Sequence, residues 1–205
     1  MKIAIFASGN GSNFQAIVEA ILSGKVDATL CFLFCDNSKA YAIERARKMG
    51  IPVVTFAPKD FVNRLAYEEQ VLKHLRSYDV DLVVLAGYMR IVGPVLLSAY
   101  KKRILNIHPS LLPAFPGRYG IQEAFDSGVI ETGVTVHFID EGVDTGPVIA
   151  QERIEILPSD TVESLEKKIH LIEHRLFPQV IQELAEKIQN QKENEESLLL
   201  KSMIE

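Results

Sequence analysis

The alternation of short apolar runs with amphipathic stretches over the first hundred residues most constrains the fold. Ile3–Ala7, Ala28–Phe34, Pro52–Phe56, Leu82–Ala86 and Arg103–Ile107 read as strands. Asn13–Ser23, Lys39–Met49, Arg64–Ser77 and Pro94–Tyr100 read as the helices between them. Strands joined through helices pair in parallel, so the pattern predicts an α/β fold: a mostly parallel twisted sheet, Rossmann-like, with helices on both faces. Leu82–Ala86 is apolar throughout and flanked by turn residues, as a central strand buried on both faces would be. In Arg64–Ser77 the spacing turns Leu65, Val71, Leu72 and Leu75 inward. Ligands of such sheets collect at the carboxyl ends of the strands, where the loops carry Ser8–Asn13, Gly87–Gly93 and Asn106–Gly117.

The second half changes style. Ile121–Ser127 reads as a short helix, and Thr132–Phe138 and Val148–Ile156 as strands that add to the sheet in antiparallel fashion. Asp160 with Glu163 resembles a capping box opening a long helix, and Pro178 predicts a kink or break near Phe177. These elements make one domain over 1–188, in two halves, 1–100 and 101–188. The charged stretch 189–205 reads as a flexible or frayed tail.

The chain has 205 residues, a net charge of −5 and no tryptophan. Phosphate neutralisation needs clustered Lys and Arg, so nucleic acid is not the expected partner. The apolar runs are strand-sized, which leaves no candidate membrane span, and the opening segment does not resemble a signal peptide. Cys31 and Cys35 share one face of a strand but lie too far apart along it for a disulfide. They read as reduced residues of a cytoplasmic protein.

Four segments carry chemistry. Asn106-Ile107-His108 ends a strand, so the carboxamide and imidazole point to one side, and Pro109, Pro113 and Pro116 stiffen the exit. Such a pair can stabilise a developing negative oxygen, although a polar turn would use the same residues. Ser8-Gly9-Asn10-Gly11-Ser12-Asn13 passes from a strand into a helix and suits an anion on free N–H groups. A dinucleotide site would use Asp36 for a ribose, but Phe14 stands where its third glycine is needed. Arg64 could add a positive charge.

The loop from Asp140 to Pro147 is acidic and glycine-rich, and it reads equally as a hairpin turn or as the carrier of a catalytic carboxylate, Asp144. Beside His108, that carboxylate would favour the imidazolium and fix the ring. Finally, His170-Leu171-Ile172-Glu173-His174 fits a zinc-protease pattern, but no third ligand is evident and no metal is expected.

Taken together, SGNGSN, LAGYMRI at Leu85–Ile91, NIHPSLLP and DEGVDTGPVI resemble the folate-dependent glycinamide ribonucleotide formyltransferase family over roughly residues 1–185. Methionyl-tRNA formyltransferase is similar in its core but carries a tRNA domain for which this chain lacks the length. The resemblance implies a catalytic trio of Asn106, His108 and Asp144. It implies a phosphate cradle of Gly11, Ser12 and Asn13, with Arg64 as a further contact and Glu173 on the ribose. Met89, Arg90, Ile91, Val92, Ile104, Asn106, Asp140, Glu141, Gly142 and Val143 would form the folate pocket. One departure is Tyr119, where similar enzymes carry a histidine in the proline loop.

The implied co-substrates are 10-formyltetrahydrofolate and glycinamide ribonucleotide, in a monomer or weak homodimer. The competing readings are a 10-formyltetrahydrofolate hydrolase, with water replacing the amine, and a non-catalytic nucleotide-binding module that would leave the trio without a task.

Overall fold

The structure, a computed structural model, describes the backbone of residues 1–202 and the side chains of residues 1–191. The predicted strands are all present: β1 (Lys2–Ala7), β2 (Thr29–Cys35), β3 (Val53–Thr55), β4 (Leu82–Leu85), β5 (Ile104–His108), β6 (Glu131–Phe138) and β7 (Val148–Glu155). They form one sheet in the order β3-β2-β1-β4-β5-β6-β7, with β4 central. Pairing is parallel from β3 to β5 and antiparallel for β5–β6 and β6–β7. The helices are α1 (Ser12–Leu22), α2 (Tyr41–Lys48), α3 (Arg64–Ser77), α4 (Pro94–Ala99), α5 (Gly120–Asp126) and α6 (Val162–Ser202).

The inner strands are apolar on both faces because both are covered. Ile3, Ile5 and Ala7 of β1 pack with Leu82 and Val84 against α1, α2 and α6. Ala4 and Phe6 point the other way, with Phe32, Phe34, Val83 and Leu85, against α3 and α4. On β5, Leu105 and Ile107 belong to the α1–α6 side and Ile104 to the α3–α4 side. The two-residue period of a strand therefore puts Asn106 and His108 on the α3–α4 side, and Thr135 and His137 of β6 with them. The loop after β5 doubles back over the β6 part of this face. The Thr135 hydroxyl holds the loop. It donates to the Ser110 carbonyl at 2.6 Å and accepts from the Leu112 N–H at 3.1 Å and from Gln151 Nε2 at 2.8 Å. Gly133 makes room beneath, because a Cβ there would run into Leu111 and the Glu152 carbonyl.

Three local expectations are corrected. Leu65 is 53% exposed, while Tyr67 and Glu68 are buried with Val71, Leu72 and Leu75. The inward face of α3 centres on Tyr67, Val71 and Leu75, and at roughly 3.6 residues per turn Leu65 falls on its flank. The box that opens α6 is made by Thr161 and Ser164, not Asp160 and Glu163. The Ser164 N–H donates to Thr161 Oγ1 at 3.2 Å and the Thr161 N–H to Ser164 Oγ at 3.0 Å. Asp160 instead accepts from the Leu157 N–H, Ser164 Oγ and Lys168 Nζ. Third, of the kink or break expected near Phe177, the break is absent, and α6 runs on through Pro178. Proline costs that helix a hydrogen bond, but Phe177, Val180 and Ile181 are fully buried on either side and hold both segments to the sheet. The expected tail, 189–205, continues α6 as far as Ser202, and its side chains from 192 onward lie outside the described residues. Among the described residues no helix is long and apolar enough to cross a membrane.

The α6 entrance gives a pH prediction. The Lys168 ammonium, with the Ser164 hydroxyl and the Leu157 N–H, holds the Asp160 carboxyl down to about 2, from an ordinary 3.8. A depressed carboxyl stabilises the fold fully above its unfolded pKa and loses that contribution as pH falls through the folded value. Thermal melts of Asp160→Asn against the unmodified protein should therefore show a gap in Tm that is constant above pH 4 and closes as the pH drops to about 2. A gap independent of pH would contradict the assignment.

Candidate active site

The antiparallel register of β5 and β6 sets Asn106 opposite His137 and His108 opposite Thr135. Asn106 Nδ2 lies 3.1 Å from His137 Nε2. The His137 ring is 1% exposed, and its Nδ1 lies 2.9 Å from the Phe138 carbonyl oxygen. Burial pushes the His137 pKa down, against the opposing effects of that carbonyl and of Asp144. His108 is also buried, at 4% exposure.

Asp144 closes the group from the acidic loop. Its Oδ2 lies 3.4 Å from His108 Nδ1, and its Oδ1 lies 3.7 Å from His137 Nε2. Oδ2 also accepts from the Gly117 N–H at 2.7 Å, which ties the acidic loop to the proline loop. Asp144 sits at φ 55°, a left-handed conformation that Asp tolerates better than most residues. Asp140 shapes the turn before it, accepting from the Gly142 N–H and the Thr145 hydroxyl. Gly146 is required where the loop rejoins β7, since a Cβ would strike the Phe138 carbonyl. Glu141, Gly142 and Val143 are exposed along the loop rim.

The other ring nitrogen of His108, Nε2, lies 2.8 Å from the Phe115 carbonyl oxygen. Both nitrogens thus face oxygen acceptors. Phe115 itself sits at φ 53°. Gly120 leaves the space for this contact, because a Cβ there would come within 3.0 Å of the Phe115 oxygen and 3.1 Å of His108 Nε2.

The glycine-rich loop stands at the neighbouring strand ends. Gly11 has φ 77°, and a Cβ there would collide with Ala42, so the tight turn into α1 needs glycine. No side chain caps the start of α1, which leaves its first N–H groups for a ligand. Asn13 Nδ2 donates to Glu173 Oε2 of α6 at 2.9 Å. Glu173 is 4% exposed, and burial pushes its carboxyl up while the Asn13 hydrogen bond opposes. Asn13 Oδ1 and His174 Nε2 are buried without hydrogen-bond partners. Glu173 therefore faces α1. Among the described residues no group of three or more His, Cys, Asp or Glu could hold a metal ion.

Asp36 is spoken for as well. It accepts from the Ser8 hydroxyl at 2.6 Å and pairs with Arg90. Ser8 Oγ in turn accepts from the Met89 N–H at 2.9 Å. This chain laces the glycine loop to the loop after β4. Met89 and Ile91 are exposed there, whereas Val92 and Ile104 lie in the core beneath α3 and α4. Arg64 stands on the same side: its Nη2 donates to the Ile91 carbonyl at 2.8 Å and its Nε pairs with Glu68 at 3.0 Å. The structure thus sets Arg64 beside the loop that carries Met89–Val92.

The sequence reading omitted His137, Thr135 and Arg45. The first two were visible as polar residues two apart in a strand otherwise buried on both faces. Arg45 pins the glycine loop through the Asn10 carbonyl at 2.9 Å and Asn10 Oδ1 at 2.8 Å. It lies 35 residues along the chain, and only the fold brings it there.

Comparison with known proteins places the chain in a family. A family model described as "Formyl transferase" matches residues 1–181. The chain is 51% identical over 183 residues to phosphoribosylglycinamide formyltransferase of Bacillus subtilis, covering 89% of this chain and 94% of that protein. It is 39% identical over 181 residues to the Escherichia coli protein of the same name, covering 88% and 85%. Among solved structures, phosphoribosylglycinamide formyltransferase from Bacillus halodurans aligns with a TM-score of 0.89 at 47% identity, covering 93% of this chain and 98% of the other. Glycinamide ribonucleotide transformylase 1 from Geobacillus kaustophilus aligns at 0.87 with 51% identity, covering 89% and 97%. With a family model over residues 1–181, these identities and this likeness of fold, the chain belongs to the formyl transferase family.

Proposed function

We propose that the protein transfers the formyl group of 10-formyltetrahydrofolate to the amine of glycinamide ribonucleotide, a step of purine biosynthesis. The observation that carries this reading is the meeting of Asn106, His108 and Asp144 at the carboxyl end of β5, beside a helix start with free N–H groups. Gly11, Ser12 and Asn13 take the phosphate, and Glu173 takes the ribose hydroxyls. The buried, unpartnered Asn13 Oδ1 suits a hydroxyl donor from the ligand. The folate lies along Met89, Arg90, Ile91 and Asp140–Val143, which face it from two loops. Arg64, held at the Ile91 carbonyl, adds positive charge on that side. Val92 and Ile104 support the pocket from the core behind.

In the reaction the amine nitrogen attacks the formyl carbon and forms the new C–N bond. Negative charge gathers on the formyl oxygen, and the bond from carbon to the folate N10 then breaks. Asn106 Nδ2 and the His108 imidazolium donate to that oxygen. The Phe115 carbonyl, 2.8 Å from His108 Nε2, occupies the acceptor's place, so the proline loop yields this contact when the substrates bind. Asp144, 3.4 Å from Nδ1, gives the His108 imidazolium of this scheme a counter-charge and orients its ring. The proton released by the amine ends on the leaving N10, with the Asp144–His108 pair assisting its transfer.

The primary test follows folate absorbance when protein, 10-formyltetrahydrofolate and glycinamide ribonucleotide are mixed. The reading predicts turnover that requires the nucleotide. Equal turnover without it would mean hydrolysis, and none would leave only binding. Asn106→Ala should lower kcat by about 10²–10³-fold, as expected for one oxyanion donor, with KM for both substrates little changed. Asp144→Asn should likewise lower kcat by about 10²-fold or more, through loss of the imidazolium's counter-charge. Near-normal kcat in either variant would sink the assignment of roles. Glu173→Ala, in contrast, should raise KM for the nucleotide and leave kcat nearly unchanged, because it removes ground-state binding. A steady-state comparison of the three variants checks the division.

A further inference from the structure

The catalytic trio leaves one buried imidazole of the site without a task. His137 Nδ1 lies 2.9 Å from the Phe138 carbonyl, which can only accept, so Nδ1 carries a proton. On the other side Nε2 lies 3.1 Å from the Asn106 amide nitrogen, which can only donate, so Nε2 is bare. The neutral ring is the form that burial favours. Asp144 Oδ1, at 3.7 Å from Nε2, is too far to claim the ring as a hydrogen-bond partner and is the nearer neighbour of His108 through its other oxygen. The result is a directed chain from Asn106 through His137 to the Phe138 carbonyl. It determines which end of the carboxamide faces the ring.

We propose that His137 is a positioning residue for formyl transfer: its bare Nε2 holds the Asn106 amide nitrogen in place and leaves that nitrogen's second hydrogen for the formyl oxygen. This inference rests on the transfer reading above. Without an acceptor at Nε2, the carboxamide is free to turn about its side-chain bonds, and the oxyanion loses a pre-set donor. His137 itself touches neither substrate in this scheme. A residue that merely packed beneath the sheet would have no reason to present an acceptor at this one atom.

Two independent measurements test it. The first is steady-state kinetics of His137→Leu, His137→Gln, Asn106→Ala and the double variant His137→Leu/Asn106→Ala. His137→Leu should lower kcat by about 10²-fold and leave both KM values within about threefold. Glutamine can present its carbonyl oxygen to Asn106, so His137→Gln should recover most of the loss. In the Asn106→Ala background, His137→Leu should cost less than about threefold more, because both changes remove the same donor. An undiminished loss in that background, or a glutamine variant no better than leucine, overturns the proposal.

The second is ¹⁵N NMR of the unmodified protein with labelled histidine at neutral pH. It should show His137 protonated at Nδ1 and bare at Nε2. An Nε2–H tautomer or an imidazolium overturns the proposal even if every variant folds poorly. Failure of the unmodified protein to transfer formyl groups would count against the function, whereas the wrong tautomer counts against the role of His137 alone.

Discussion

The pairing of β5 with β6 is the constraint on which the site depends. Because side chains alternate along a strand, a slip of one residue would turn Asn106 and His108 into the core that holds Leu105 and Ile107. The register is secured from both sides of the sheet. Leu105, Ile107, Val134 and Val136 are buried against α1 and α6, and Thr135 anchors the returning proline loop on the other face. The polar groups that would do the chemistry are thus carried by backbone whose position is set by apolar burial.

The same economy links the two substrate regions. The loops after β1 and β4 are joined by the Ser8 N–H to the Gly87 carbonyl, by the Met89 N–H to Ser8 Oγ, and by the Asp36–Arg90 pair. Asp144 joins the acidic loop to the proline loop through the Gly117 N–H, and to β5 through His108. A nucleotide and a folate seated at these loops would meet at the end of β5. His108 Nε2 lies against the Phe115 carbonyl and Nδ1 faces Asp144, so it is the Phe115 contact that the reacting oxygen would replace.

Much of this was legible in the sequence because the signals are periodic or stereochemical. Strands buried on both faces read as apolar runs, and Arg64–Ser77 was located at its observed limits. The glycine loop was visible because Gly11 needs a positive φ that other residues resist. Asn106 and His108 stood out by alternation within one strand. The parts that were not legible depend on contacts across the fold. The place of Leu65 follows from where the sheet lies under α3, and the Thr161–Ser164 box from which residue of TVES begins the helix. Asp36 stands where a ribose acid would in a dinucleotide site, a reading Phe14 already weakens, but its partner Arg90 lies 54 residues away and is brought to it only by the fold. His137 gained a role only when β6 paired opposite Asn106.

The central claim is that one reacting oxygen is held jointly by Asn106 and His108. The most direct measurement is a crystal structure of the protein with glycinamide ribonucleotide and a folate analogue whose formyl group cannot leave. The account predicts the formyl oxygen at about 3 Å from both Asn106 Nδ2 and His108 Nε2, with the Phe115 carbonyl withdrawn and Asp144 still beside Nδ1. A formyl group bound elsewhere, with His108 still on Phe115, would contradict it.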